Sequence, residues 1–138
     1  MRGRLTLVFA LLSGCVSTDT HTHTNTGELC FKSTETGSVE MVVTFPDCLS
    51  SSCDEEIQAN CHVVEKNGTI VVEGFAEVES QKGGSCTADC GSLTAKCESA
   101  PIAPGTYPVA YGANMGSLTL PTEGQVLFEG QSGFAICP

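Results

Sequence analysis

Nine cysteines in 138 residues are the side chains whose chemistry most constrains this sequence. Cys86 and Cys90 are separated by Thr-Ala-Asp, and Cys48 and Cys53 by Leu-Ser-Ser-Ser. A thioredoxin-type redox pair has two intervening residues and a βαβ setting, and zinc ribbons use paired two-residue spacings of reduced thiols. Neither pattern occurs. Cys61-His62 resembles the end of a haem attachment motif, but the second cysteine it needs is replaced by Gln58. Structural disulfides are the simpler use of these residues.

The other reactive side chains are sparse. His21 and His23 alternate, so an extended chain projects both to one side near Asp19, a weak site for copper, nickel or zinc. Polar chain with incidental histidines is the plainer reading. Asp54-Glu55-Glu56 would need further converging oxygens to hold calcium, and no EF-hand loop pattern surrounds it. Glu73, Glu77 and Glu79 share one strand face; paired carboxylates can serve a glycosidase, but a solvated outer face accounts for them more simply. There is no G-x-S-x-G elbow and no H-E-x-x-H, and His62 falls on the polar face of its strand. The residues point to no catalytic group, no cofactor and no enzyme. Cys48-Leu-Ser-Ser-Ser-Cys53 is bounded by cysteines at both ends, as some protease-inhibitor loops are, with Leu49 and Ser50 as the contact residues.

Charge narrows the partners. The formal net charge is −10, and Arg2 and Arg4 are the only arginines. Beyond residue 14, four lysines therefore face 16 acids, a formal −12. Such a surface repels phosphate backbones, so no nucleic acid is expected as a partner.

The first residues read as an export leader. Arg2 and Arg4 form a positive n-region, Leu5 to Leu12 an apolar h-region, and the small Ser13 and Gly14 follow. The apolar run is far short of the roughly 20 residues that span a bilayer. Leu12-Ser13-Gly14-Cys15 resembles the lipobox of bacterial lipoproteins. The resemblance implies that the Cys15 thiol takes a diacylglyceryl group, that the leader is cut before Cys15, and that the new amino group is acylated. Val16 in place of Asp after the cysteine implies sorting to the outer membrane of a Gram-negative bacterium. The resemblance covers residues 1–15 and carries no activity for the remainder.

Removing Cys15 leaves eight cysteines, Cys30, Cys48, Cys53, Cys61, Cys86, Cys90, Cys97 and Cys137, an even set suited to a disulfide scaffold. Residues 15–29 comprise the lipidated cysteine and a polar, Thr-rich segment expected to be a disordered tether. At about 5–6 Å times the square root of its length, such a tether would hold the domain on the order of 20 Å from the headgroups.

Residues 30–138 alternate with period two. Val39, Met41, Val43 and Phe45 share a face, as do Ile57, Ala59, Cys61 and Val63. Asn67-Gly68 is a hairpin turn pair, followed by Ile70, Val72, Gly74, Ala76 and Val78 facing inward. Leu93, Ala95 and Cys97 alternate with polar neighbours, and Tyr107, Val109 and Tyr111 form another face. Pro108 lacks a ladder donor, which predicts an edge strand. Further short strands are expected at 117–120, 125–129 and 133–137.

The expected fold is an all-β, disulfide-rich antiparallel β-sandwich, with an immunoglobulin-like topology among the arrangements it allows. Cys61 and Cys97, inward on separate strands, are candidates for an inter-sheet bridge. Cys30 and Cys137 bracket the domain, and Cys48, Cys53, Cys86 and Cys90 could pair locally or across. The expected role is that of a cell-envelope lipoprotein, periplasmic or surface-exposed, held to the membrane by lipid, with a non-enzymatic binding or structural function. Loops 48–56 and 84–91 are the expected surface for a protein partner. Metal capture by His21 and His23 and protease inhibition are the alternatives.

Overall fold

The computed structural model describes residues 17–126. Their regular structure is β1 (Ser17–Thr24), β2 (Glu28–Ser33), β3 (Val39–Leu49), β4 (Asp54–Lys66), β5 (Thr69–Lys82), β6 (Gly91–Glu98), β7 (Gly105–Tyr111), β8 (Asn114–Leu120) and β9 (Glu123–Val126). No helix occurs among the described residues. The chain is all-β, as the period-two pattern requires.

The strands form a five-stranded sheet, in which β1, β5, β7 and β8 are joined in that order and β4 also pairs with β5, and a four-stranded sheet ordered β6-β3-β2-β9. β4 covers one edge of β5, while β1 and β7 lie end to end along the other. One apolar cluster draws on both sheets, with Phe31, Met41 and Leu93 from one and Ile70, Val72 and Tyr111 from the other. Complete burial of side chains of this size contributes about 1.5–3 kcal/mol each. The alternation in β3, β5, β6 and β7 therefore selects the inward faces read from the sequence.

The β4–β5 hairpin turns at Asn67 and Gly68, whose φ values of 54° and 81° suit the tight turn expected of this pair. Among the described strands, pairing is antiparallel except between β5 and β7, which run parallel. After β5 the chain crosses to β6 in the other sheet and returns, so β7 enters beside β5 in the same direction. A parallel pair needs such a crossover.

Three expectations are corrected. Residues 17–24, placed in a disordered tether, form β1, hydrogen-bonded along β5 from Ser17 opposite Lys82 to Thr24 opposite Phe75. Leu29 and Cys30 are already buried in β2. The tether reading weighed only apolar burial; an edge strand needs one backbone ladder, and β-branched threonines suit it. Second, β7 is an interior strand, between β5 and β8. Its pairing to β5 starts at Val109, so Pro108 occupies the portion laddered on the β8 side alone, where a missing donor is tolerated. Third, a bulge between Glu56 and Gln58 inserts Ile57 into β4 and leaves it 50% exposed, while Ala59, Cys61 and Val63 keep the inward phase.

The passage between sheets is made by Asn25-Thr26-Gly27. Asn25 adopts φ 50°, receives its backbone bond by donating N–H to the Gly74 carbonyl at 2.8 Å, and accepts the Gly74 N–H on Oδ1 at 2.9 Å. It thus fills the gap along β5 between the ends of β1 and β7. The Tyr111 hydroxyl donates to the Thr26 carbonyl at 2.7 Å. Gly27, at φ 103°, passes so close to the Thr44 carbonyl that a Cβ there would lie 2.1 Å from its oxygen.

Candidate functional site

Among the described residues, the cysteines read as structural form disulfides. Cys61–Cys97 joins β4 to β6, and hence the two sheets, with a Cα–Cα distance of 5.6 Å. It is the inter-sheet bridge that the strand phases suggest. Cys48–Cys90 and Cys53–Cys86 close with Cα–Cα distances of 4.8 and 5.6 Å. Between the local and crossed arrangements left open for these four, the chain takes the crossed one. Cys30 is disulfide-bonded as well. Cys137, the partner expected for it, lies outside the described residues, as do Cys15 and the leader.

The crossed pair makes the most elaborate polar structure of the described residues. Loop 48–54 and loop 86–90 are pinned to each other at both ends, and the space between the bridges is filled by hydrogen bonds. Thr87 N–H donates to the Ser52 hydroxyl at 2.8 Å, and the Ser50 hydroxyl donates to the Thr87 carbonyl at 3.0 Å. Ser51 N–H donates to Asp89 at 3.1 Å. Asp54 accepts the Ser50 N–H and the Ser80 hydroxyl, each at 2.6 Å, tying the loops to β5. The Gln81 N–H donates to the Cys53 carbonyl at 2.8 Å.

These bonds set the local electrostatics. The hydroxyls of Thr87 and Ser51, then the Ser51 N–H, hold the Asp89 carboxyl down to about 2. Ser80, then the Ser50 N–H, keep Asp54 below the ordinary carboxylate range. Both aspartates are therefore ionised acceptors that rigidify the loops. Alongside lies an open polar recess of about 320 Å³, lined by Thr18, Ser51, Ser52, Glu55, Glu79 and Gln81 among others.

Leu49, considered as an inhibitor contact, ends β3 opposite Gly91 and packs against the core. Ser50 is committed to Asp54 and Thr87. The loop is braced from within, and its Ser51 and Ser52 are the exposed residues between the cysteines.

His21 and His23 occupy one face of β1, opposite Val78 and Ala76 of β5. His23 is drawn inward: its Nε2 lies 2.6 Å from Asp47 Oδ2, and its ring packs against Phe45 at 6.1 Å. It latches the edge of one sheet onto β3 of the other. Asp19 is bonded to Lys82 at 2.6 Å, and the Lys82 ammonium lowers its pKa. Among the described residues no three His, Cys, Asp or Glu side chains converge on a point where a metal would sit.

His62 stands opposite Glu73 on the outer face of the five-stranded sheet. Both line a second recess, of about 340 Å³, with Thr24, Asn25, Asn60 and Phe75. Glu77 and Glu79 continue the same face along β5, as their spacing implies. Gln58 Nε2 donates to Glu77 at 2.9 Å.

Sequence reasoning missed Thr87, Asp89 and Asn25 as organising residues. The signal for the first two was present: hydroxyl and carboxylate side chains enclosed between two cysteines compete for nearby backbone donors. No known family model, curated protein or solved structure matches the chain.

Proposed function

We propose that this protein is a cell-envelope lipoprotein: a disulfide-pinned β-sandwich anchored to a membrane through Cys15, with a non-enzymatic binding or structural role. The observation that carries the reading is the leader ending in Leu12-Ser13-Gly14-Cys15. Three disulfides among the described residues support it, because such bridges persist in oxidising compartments outside the cytosol. Two acyl chains, at about 0.8 kcal/mol per buried methylene, anchor a protein stably. Val16 after the cysteine favours the outer membrane of a Gram-negative bacterium. The sandwich description is supported by the single apolar cluster shared between the sheets and the Cys61–Cys97 bridge across them.

The test is the intact mass of the protein extracted from its native membrane without reduction. The expected mass lacks residues 1–14, carries acyl chains on Cys15, and is two hydrogens lighter for each disulfide. An unlipidated mass, or one retaining the leader, overturns the anchor. Cys15→Ala should accumulate as unprocessed precursor.

A further inference from the structure

Resting on the lipid-anchor reading, we infer that the braced loops 48–54 and 86–90 are the membrane-facing end of the domain, and that their partner is the bilayer headgroup surface. The geometry turns on where β1 begins. Cut before Cys15, the chain has Val16 alone between the anchored residue and Ser17, the first residue of β1. Two residue steps reach at most about 7 Å. Ser17 lies directly opposite Lys82, and the neighbouring Gln81 is bonded to Cys53 of the clasped loop. Opposed residues of an antiparallel pair are only about 4.5–5.5 Å apart. The anchor point is therefore within roughly 12 Å of Lys82 by these two reaches together.

The opposite end is far away. β5 is 14 residues long, so the Asn67-Gly68 hairpin stands roughly 45 Å beyond Lys82 at about 3.3 Å per residue. β1 runs from the clasped end toward that hairpin, so the chain enters at the clasp, and one intervening residue leaves no slack to invert the domain.

The clasped end suits this position. Its surface is hydroxyl-rich, with Ser51, Ser52 and Thr87 exposed, and the two crossed disulfides hold it rigid against the headgroup layer. Of its carboxylates, Asp54 and Asp89 are engaged by donors of the loops and of β5, and Glu55 and Glu79 line the recess beside them. Anionic headgroups would still repel them, and the covalent anchor holds the end in place against that repulsion.

Two lysines make the inference measurable. Lys82 lies at the clasped end, 56% exposed, and Lys66 adjoins the far hairpin. The full lipidated protein, bound to phosphatidylcholine vesicles, is treated with a bulky water-soluble amine-reactive ester, and modification is read at each lysine by mass spectrometry. A second lipidated form carries a Gly-Ser linker of about 20 residues between Val16 and Ser17, which adds a mean reach of roughly 25 Å. The expected result is a Lys82-to-Lys66 labelling ratio several-fold lower in the native chain than in the linker form. Equal ratios in two proteins whose intact masses show lipid overturn the orientation and leave the anchor standing. Absence of lipid from the native chain overturns the anchor, and the orientation with it.

Discussion

Asn25 is the residue on which the attachment of the N-terminal strand most depends, and three replacements separate its two contributions. Asn25→Ala removes the acceptor of the Gly74 N–H, and Gly74 is buried. An orphaned buried donor costs about 1–3 kcal/mol. Alanine must also hold φ 50°, a left-handed conformation that costs roughly 1–2 kcal/mol for a residue bearing a Cβ. The sum is about 2–5 kcal/mol. Asn25→Gly relieves the conformational part and keeps the orphaned donor. Asn25→Asp keeps an acceptor and tolerates the left-handed region. Urea unfolding of the oxidised protein, followed by far-UV circular dichroism, should rank the stabilities wild type, then Asp, then Gly, then Ala. An alanine variant within about 0.5 kcal/mol of wild type, the spread of ordinary surface substitutions, would refute the junction. It would also return residues 17–24 to the status of a tether.

Further outcomes follow from the bridges and the titrating groups. Replacing Cys61 and Cys97 together by Ala opens a loop of sequence separation 36, worth about 3–4 kcal/mol on the chain-entropy account, and should lower the urea midpoint without changing the all-β spectrum. Asp89 has its folded pKa depressed to about 2, so its contribution is complete above the unfolded value of 3.8 and is lost as pH falls toward 2. Asp89→Asn should flatten that part of the stability profile, and an unchanged acid limb would show that the loop donors do not hold the carboxylate. Burial pushes Tyr111 up to about 12, so the folded protein keeps this proton above the ordinary value of 10.0 and loses stability as pH rises between the two. A phenolate absorbance transition near pH 12, absent from Tyr111→Phe, checks it; ionisation of Tyr111 near 10 in the folded protein would contradict the burial.

How much could be read from sequence divides along physical lines. Inward faces were legible wherever a strand is half-buried, because burying alternate residues leaves a period-two trace: Val39, Met41 and Val43 in β3, or Ile70, Val72, Ala76 and Val78 in β5. The Cys61–Cys97 bridge was legible for the same reason, since both cysteines carry the inward phase of their strands. The bulge at Ile57 was not, because an inserted residue shifts phase without changing composition. The parallel β5–β7 pair was hidden because it depends on where a distant segment returns. The crossed loop bridges depend on the approach of segments 33 and 42 residues apart, and spacing between neighbouring cysteines carries none of that information.

β1 is the instructive failure, and it bears directly on function. Its sequence, STDTHTHT, buries almost no apolar surface, and composition alone therefore reads it as solvated chain. What holds it is distributed: a backbone ladder to β5, the Lys82–Asp19 ion pair at one end, the His23–Asp47 latch near the other, and the Asn25 junction beyond. Exposed ion pairs contribute little singly, up to about 1 kcal/mol. The cooperative ladder and the junction must therefore dominate. A segment that looks like slack in the sequence is in the fold an edge strand, and docking it replaces a flexible spacer by a single residue between Cys15 and the sheet. On the lipoprotein reading, the same hydrogen bonds that seat β1 fix which end of the domain meets the membrane. Loosening β1 through Asn25→Ala should accordingly raise labelling of Lys82 on vesicles toward that of the long-linker form, whereas Cys61→Ala with Cys97→Ala, which leaves β1 seated, should not.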